Sequence, residues 1–505
     1  MRKFYLFILI LVIFLIIFSS KSFGEIEVKS ILGISGEWKI NKWCPLFINF
    51  KNLGEKRNLD LEIIFTQGLR FAGNSKTIYK QSIEIPPLST RTIELLLPPL
   101  DFRYPIEIKA TSKDGDLKYN EKIEFNIEKV ILPLVLILGE ERNIPLSFPP
   151  KTRIINIINE KQLPTNYKAY DSADYIFIQY DFWKTLSPSK KNALRLFRAF
   201  EGRAFFIEEI KNFSPQINLE PSKVQFFPPS FLESPDLSII DMQAFSYPNR
   251  FQILIFLSIY LISLYLLRKL IKKIKYLILS MSILLLLTIV VSFLIGSKFR
   301  QDSLIIGEKG IIYLTPDKEI AELYSHLVFF SPYKRELIFQ IQPNMIQLYQ
   351  PFYQPQRNIG PLKIEEQKAF LSMEKNKISY IEVLSILIFP IKVFYEYKNK
   401  DLIKIKVENN SDYNLKDIVF TFENKDFYLG NLEKGKAKTW NILLEGSERE
   451  SLYPSIISKW KIKNDIIKKK KIFLWGKIEE SLVKLDIDKV KYNLRAENIF
   501  IFPLS

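Results

Sequence analysis

Two uncharged apolar runs, set close together, constrain this chain more than any other feature. Phe251–Leu267 and Tyr276–Ser297 each approach the length at which a helix crosses about 30 Å of hydrocarbon. Between them stand Arg268, Lys269, Lys272, Lys273 and Lys275, with no acidic residue. Cations concentrate on the cytoplasmic side of spanning helices, so this link is expected in the cytoplasm and both flanking regions outside it. The competing reading is a helical hairpin buried in a soluble core. The length and purity of the two runs favour a transmembrane helix at 251–267, a cytoplasmic basic loop at 268–275 and a second transmembrane helix at 276–297.

The N-terminus points the same way. Arg2 and Lys3 precede an apolar run, Phe4–Phe18, that is short for a span but right for an export signal. Ser22 and Gly24 supply small residues for cleavage before Glu25, giving a signal peptide over 1–24. An uncleaved anchor is the alternative, and either leaves residue 25 onward outside.

At 505 residues the chain is expected to form three or four folded units. One cysteine, Cys44, excludes an internal disulfide and a cysteine-based zinc site. Cys–His catalysis would have to bring Cys44 to the single histidine, His326, from the far side of the apolar hairpin. The net charge of +17 suits either attraction to anionic headgroups or a dispersed lysine-rich composition. No basic helix or aromatic–basic interleaving is present, so no nucleic acid is expected as a partner. No metal and no cofactor are expected either.

Residues 25–130 read as an immunoglobulin-like β-sandwich. Pro45–Phe50, Leu59–Phe65, Thr92–Leu97 and Lys122–Ile127 alternate apolar and polar residues between turn signals. From 131 to 245 the pattern becomes α/β. Leu134–Leu138 and Arg153–Ile158 suit strands buried on both faces, with Asp174–Ile178 a third. Ser187 as N-cap and Pro188 at the first position open a helix whose Ala193, Leu194, Phe197 and Phe200 share a face. Gly202 closes it, and Arg203–Ile207 is a further strand.

This stretch, with Asp174-Tyr175-Ile176, the Leu186–Leu194 helix and the Gly202–Ile207 strand, resembles the degenerate class I glutamine amidotransferase-like domain of a group of bacterial membrane proteins. In that group an export signal and an immunoglobulin-like module precede the domain and transmembrane helices follow it. The resemblance implies a parallel α/β fold. It also implies loss of glutaminase activity, because no Cys or His lies between Cys44 and His326. Ligands of such sheets bind beyond the carboxyl ends of strands. The candidates there are Gly139, Glu140, Gln179, Asp181, Glu208 and Glu209, which otherwise read as solvated loop groups.

After the apolar runs, 300–379 reads as a β-rich region. Ser303–Ile306 and Gly310–Leu314 flank a Gly307–Gly310 turn as a hairpin, and Tyr349–Pro361 is an irregular aromatic loop. Residues 380–505 read as a second β-sandwich that echoes the first. Lys404–Asn409 with Ser411 and Leu415 parallels Leu46–Asn52 with Gly54 and Leu59; Thr439–Leu444 parallels Thr92–Leu97. Lys468–Lys471 reads as a charged edge or hairpin tip.

The expectation is therefore a multidomain α+β membrane protein in the bacterial cytoplasmic membrane, its N- and C-terminal domains on the periplasmic or extracellular side. Its expected role is a non-catalytic scaffold or interaction module, with the lipid bilayer and other envelope or membrane proteins as partners. An envelope sensor or accessory subunit binding a small ligand in the α/β domain is the alternative. A hydrolase working on carboxylates alone, such as Glu208 with Asp181, is a third.

Overall fold

The computed structural model describes residues 26–69, 73–99, 104–126, 130–140, 148–210, 250–271, 276–288, 304–350, 361–444 and 472–504, apart from 114, 116, 277, 316–318, 343–344, 376, 400–401, 423–424, 488–489 and 491 within them. The chain divides into two compact units. The first gathers residues 1–67, 76–229 and 363–366, and the second 68–75, 230–362 and 367–505.

The first unit begins with seven strands: β1 (Ile26–Leu32), β2 (Cys44–Asn52), β3 (Arg57–Leu69), β4 (Gly73–Ile85), β5 (Thr90–Leu97), β6 (Ile106–Ser112) and β7 (Lys118–Ile123). They form one sheet in the order β1-β2-β5 and a run in the order β4-β3-β6-β7. Period-two patterning sets which face is covered: Leu59, Leu61, Ile63 and Phe65 of β3 and Ile106, Ile108 and Ala110 of β6 are buried. Each such large apolar side chain contributes about 2 kcal/mol of burial energy. The order departs from the constant-type immunoglobulin arrangement, which places the fourth strand with the first, second and fifth. Here the fourth strand sits beside the third. The last strand is also displaced from its expected place at Lys122–Ile127, ending at Ile123.

Four parallel strands follow, β8 (Leu134–Leu138), β9 (Arg153–Ile157), β10 (Tyr175–Ile178) and β11 (Ala204–Phe206), in the order β11-β10-β8-β9. Helix Pro188–Glu201 connects β10 to β11 and buries Ala193, Leu194 and Phe197. Pro188 opens it, and Gly202 closes it in the left-handed conformation at φ 65°. Ser187 makes no side-chain capping bond; its hydroxyl lies 3.4 Å from that of Ser189 instead.

A buried ion network fixes the amino ends of these strands to the loop before β2. Asp171 accepts from Arg203 at 2.8 Å and from Lys42 at 3.4 Å. Glu201 takes Lys168 at 3.0 Å and Arg203 at 3.1 Å, and Lys39 reaches Asp174. Ser172 donates to the Trp43 carbonyl at 2.7 Å. Burial alone would raise the Asp171 carboxyl, but Lys42, Lys168 and Arg203 together outweigh it and hold the group well below the usual carboxylate range.

The second unit is built on one eight-stranded sheet in the order β15-β18-β13-β12-β25-β24-β21-β22. Its strands are β12 (Leu304–Leu314), β13 (Ile320–Ser331), β15 (Met345–Tyr349), β18 (Lys377–Ile388), β21 (Leu415–Phe422), β22 (Lys425–Leu432), β24 (Ile472–Ile478) and β25 (Tyr492–Pro503). A three-stranded sheet, β19-β20-β23, holds β19 (Ile391–Asn399), β20 (Leu402–Asn409) and β23 (Lys436–Leu443). Strands β14 (Arg335–Gln340) and β17 (Lys368–Met373) also belong to this unit, whereas β16 (Leu362–Glu365) counts with the first unit from Lys363 on.

Strands β19 to β25 repeat β1 to β7. The first, second and fifth form the three-stranded sheet in each case, and the rest run fourth-third-sixth-seventh. The register repeats too: Ile26 faces Asn52 and Ile391 faces Asn409, while Thr92 faces Asn49 and Thr439 faces Lys406. The asparagine that ends the second strand is buried in both. Asn52 Nδ2 donates to the carbonyls of Ile85 at 3.3 Å, Pro86 at 3.0 Å and Glu55 at 2.6 Å. Asn409 Nδ2 donates to Leu432 at 3.4 Å, Glu433 at 3.2 Å and Tyr413 at 2.9 Å. Each Oδ1 accepts the backbone N–H two residues on, from Gly54 and from Ser411.

Four expectations are corrected. Among the described residues no helix is long and apolar enough to cross a membrane. Helix Arg250–Leu270 has 21 residues. Its uncharged stretch rises about 26 Å, short of the roughly 30 Å required. The second run is helical over 278–288, and 289–297 lie outside the described residues. The two-helix hairpin, the α+β membrane fold class and the membrane reading of the basic link therefore fall, and the fold is mostly β-sheet. Arg268 and Lys269 instead occupy the last turn of that helix, where cations complement its dipole. Lys272, Lys273 and Lys275 lie outside the described residues, as do the segment 1–24 and Lys468–Lys471. Finally, the expected hairpin at Gly307–Gly310 is one continuous strand, β12, paired along its length on both sides.

Two substitutions test this scheme. Asn52→Ala and Asn409→Ala should each cost about 2–4 kcal/mol in urea unfolding, because buried carbonyls lose their donor. Asn→Asp should fare no better at either position, since a carboxylate lacks that N–H group. Asp171→Ala should cost about 3–5 kcal/mol by removing one of the two carboxylates that face the partly buried Arg203 and leaving the cations around it unbalanced.

Candidate functional sites

The carboxyl ends of the parallel strands bring the sequence-derived candidates together, and the fold then uses most of them. Gly139 adopts φ +129°, and a Cβ placed on it would lie 2.3 Å from Gln179 Oε1. Only glycine leaves room for that side chain. Gln179 Oε1 accepts the Glu140 N–H at 3.0 Å, closing the corner between β8 and β10. Glu208 accepts the Tyr180 N–H at 3.2 Å, at the start of helix Tyr180–Thr185. Glu209 pairs with Arg198 at 3.0 Å, and the exposed Asp181 pairs with Lys184 at 3.1 Å. The polar groups of this rim thus satisfy one another, and the geometry does not set Glu208 and Asp181 up as an acid–base pair.

A second constellation lies in the second unit and escaped sequence reasoning. Four ladder positions place Lys309, His326, Glu382 and Tyr349 side by side across β12, β13, β18 and β15. All four are buried. Tyr349 donates a short hydrogen bond to Glu382 Oε2. His326 Nδ1 lies 4.0 Å from Glu382 Oε1, and neither the two ring nitrogens nor Oε1 has a hydrogen-bond partner among the described residues. Burial, assisted by the charge of Lys309, pushes His326 down to about 4. Burial pushes Glu382 up to about 7, against the opposing pull of Tyr349. Between about pH 4 and 7 the histidine and carboxyl therefore meet as neutral groups, and the 4.0 Å approach is then not an ion pair.

On the opposite face of β12, Glu308 accepts from the Ser481 hydroxyl and from the N–H groups of Leu482, at 3.0 Å, and Val483, at 3.3 Å. Burial raises it to about 7 despite these donors. Charged residues in the centre of long apolar strands were the signal available in the sequence. A Gly-Glu-Lys-Gly stretch looks like a turn until its partners are known.

Chemically, the row can hold and exchange a proton but cannot reach a substrate, since each member is covered. Cys44 is fully buried and its thiol is pushed well up by that burial. It belongs to the first unit and His326 to the second. Among the described residues no group of three or more His, Cys, Asp and Glu side chains could hold a metal ion.

Two family models match, both described as domains of unknown function: DUF8726 over residues 25–126 and DUF8725 over residues 391–505. Their limits coincide with the two seven-stranded modules. No curated protein matches. Among solved structures, the yeast delta-COP-I mu-homology domain in complex with a Dsl1 WxWxV peptide is 9% identical, covers 40% of this chain and 96% of its own, and has a TM-score of 0.23. A homology model of the full-length AP-3 complex in a stretched open conformation is 10% identical, covers 51% of this chain and 82% of its own, and has a TM-score of 0.21. Overlap this low carries no argument about fold or function. None of these matches is a glutamine amidotransferase-like domain, so they lend that resemblance no support.

The buried groups predict a pH profile. Glu308 and Glu382 hold their protons more tightly when folded, so their stabilisation is full below pH 4.5 and lost as pH rises through 7. His326 runs the other way, contributing above pH 6.5 and losing that contribution as pH falls through 4. Two carboxyls against one imidazole leave a net loss of about 3 kcal/mol between pH 5 and 7.5. Urea unfolding across that range should show this loss, and Glu382→Gln should flatten the profile between pH 5 and 6.5.

Proposed function

We propose that this chain is a non-catalytic interaction and spacing protein of the cell envelope, in which two copies of one seven-stranded module offer surfaces to other envelope proteins. The observation that carries the reading is the duplication itself: the same strand order, register and asparagine clamp occur at both ends of the chain. Repeated β-modules multiply binding surfaces and set their spacing. The export pattern over residues 1–24 supports an envelope location.

The chemistry agrees with this assignment. The thiol and the imidazole are each buried, and the carboxylates of Glu208, Glu209 and Asp181 at the parallel-strand ends are occupied with a backbone N–H group and arginine or lysine partners. That internal satisfaction gives the small-ligand reading no particular support.

Deleting the gene should increase sensitivity of the cells to detergents. A photo-crosslinking residue at exposed positions of either module, such as Leu88 or Tyr428, should give discrete adducts with other envelope proteins. Wild-type sensitivity combined with no adduct at any exposed position would overturn the proposal.

A further inference from the structure

The two modules share one turn but dress it differently. In the first module the fourth strand passes to the fifth through Pro86–Ser89, and in the second through Glu433–Lys436. The matched register makes Leu88 the counterpart of Gly435. The strand-ending asparagines hold both turns alike: Asn52 Nδ2 donates to the Pro86 carbonyl at 3.0 Å, and Asn409 Nδ2 to that of Glu433 at 3.2 Å. The third residue of the turn has a positive φ in each, 70° at Gly435 and 50° at Leu88. Glycine enters that region freely, whereas a leucine there strains the backbone.

The fold gains little from Leu88 in return, because its side chain is 80% exposed. Pro86 and Pro87 beside it are exposed as well. Leu53, on the neighbouring turn that the same Asn52 amide ties down, is 42% exposed. The equivalent positions of the second module hold Asn410, Glu433, Lys434 and Gly435, all exposed and none a large apolar side chain. The same backbone therefore presents an apolar tip in one module and a polar one in the other, so the turn itself does not call for apolar residues. Backbone strain kept without a matching intramolecular contact points to function.

We propose that Leu88 is a binding anchor, presented with Pro86, Pro87 and Leu53 to a leucine-sized apolar pocket on another envelope protein. The two prolines and the asparagine clamp hold the tip in one conformation, which lowers the ordering cost of docking. The charges around the tip favour a protein over a lipid surface. Lys51, Lys56 and Arg91 are matched by Glu27, Glu55 and Glu84, and Lys51 already pairs with Glu27 at 3.1 Å and Lys56 with Glu84 at 2.7 Å. A tip that dips among anionic headgroups needs an excess of cations. A balanced rim suits a pocket whose own rim carries both signs. This anchor gives the interaction reading above a specific site and rests on it.

The test places a photo-crosslinking residue at the exposed Thr90 of the full-length protein in cells and reads it alongside urea unfolding. Leu88→Gly should cut the yield of the Thr90 adduct roughly tenfold, because one buried leucine leaves the contact. It should not lower the urea midpoint, since relief of the strained φ offsets the freedom that glycine adds to the unfolded chain. Leu88→Met should keep most of the adduct. A lower midpoint in Leu88→Gly overturns the proposal, because the side chain then serves the fold. An adduct yield unchanged by that substitution, or an adduct with a second copy of the chain, overturns it too. Flotation of the purified full-length protein with phosphatidylethanolamine–phosphatidylglycerol vesicles, abolished by Leu88→Gly, would mean that lipid takes the tip and would also overturn it. Adducts at Tyr428 with none at Thr90 would sink the anchor while leaving the interaction reading standing.

Discussion

A buried asparagine at the end of the second strand organises each β-module. Its side-chain amide ties the close of the fourth strand to the turn that opens the third, so two sheets and two connections meet at one polar group. Buried amides are expensive to leave unsatisfied, and that expense enforces the arrangement. Apolar patterning alone would tolerate a slip of two residues in any strand. The asparagine tolerates none, because its acceptors come from two different places in the chain.

Buried charge is used in two contrasting ways. In the first unit, Asp171, Glu201, Arg203, Lys168 and Lys42 balance one another, so desolvation is offset by partners at 2.8–3.4 Å. The network joins the loop before β2 to the amino ends of the parallel strands, leaving their carboxyl ends to be closed by Gln179 and Glu208. In the second unit the row through His326 and Glu382 is resolved by neutralisation, with burial driving both groups towards their uncharged forms. Paired ions hold their charges over a wide pH range; neutralised groups tie local stability to pH.

Much of the strand inventory was legible from local pattern. Leu134–Leu138 is a strand with the bounds of its apolar run, and Pro188 and Gly202 bracket the helix between β10 and β11. The echo between Leu46–Asn52 and Lys404–Asn409 is now a matched register, down to Thr92 opposite Asn49 and Thr439 opposite Lys406. Legibility failed where local cues conflicted with distant partners. Glu308 and Lys309 between glycines suggested a turn, yet Glu308 sits in mid-strand because the chain near Ser481 returns to satisfy it. Long uncharged runs suggested spanning helices, but among the described residues no helix is long and apolar enough to cross a membrane.

By itself the sequence determined which segments become strands, which face of each is covered, and that a strand–asparagine–turn unit occurs twice, because alternation and turn chemistry are local properties. Only the tertiary structure decided that the fourth strand of each module joins the third, that Lys309, His326, Glu382 and Tyr349 share one row, and that Gln179 fills the space over Gly139. Each of these depends on which backbone edges meet, and hydrogen bonds between distant strands leave no periodic trace in the chain that makes them.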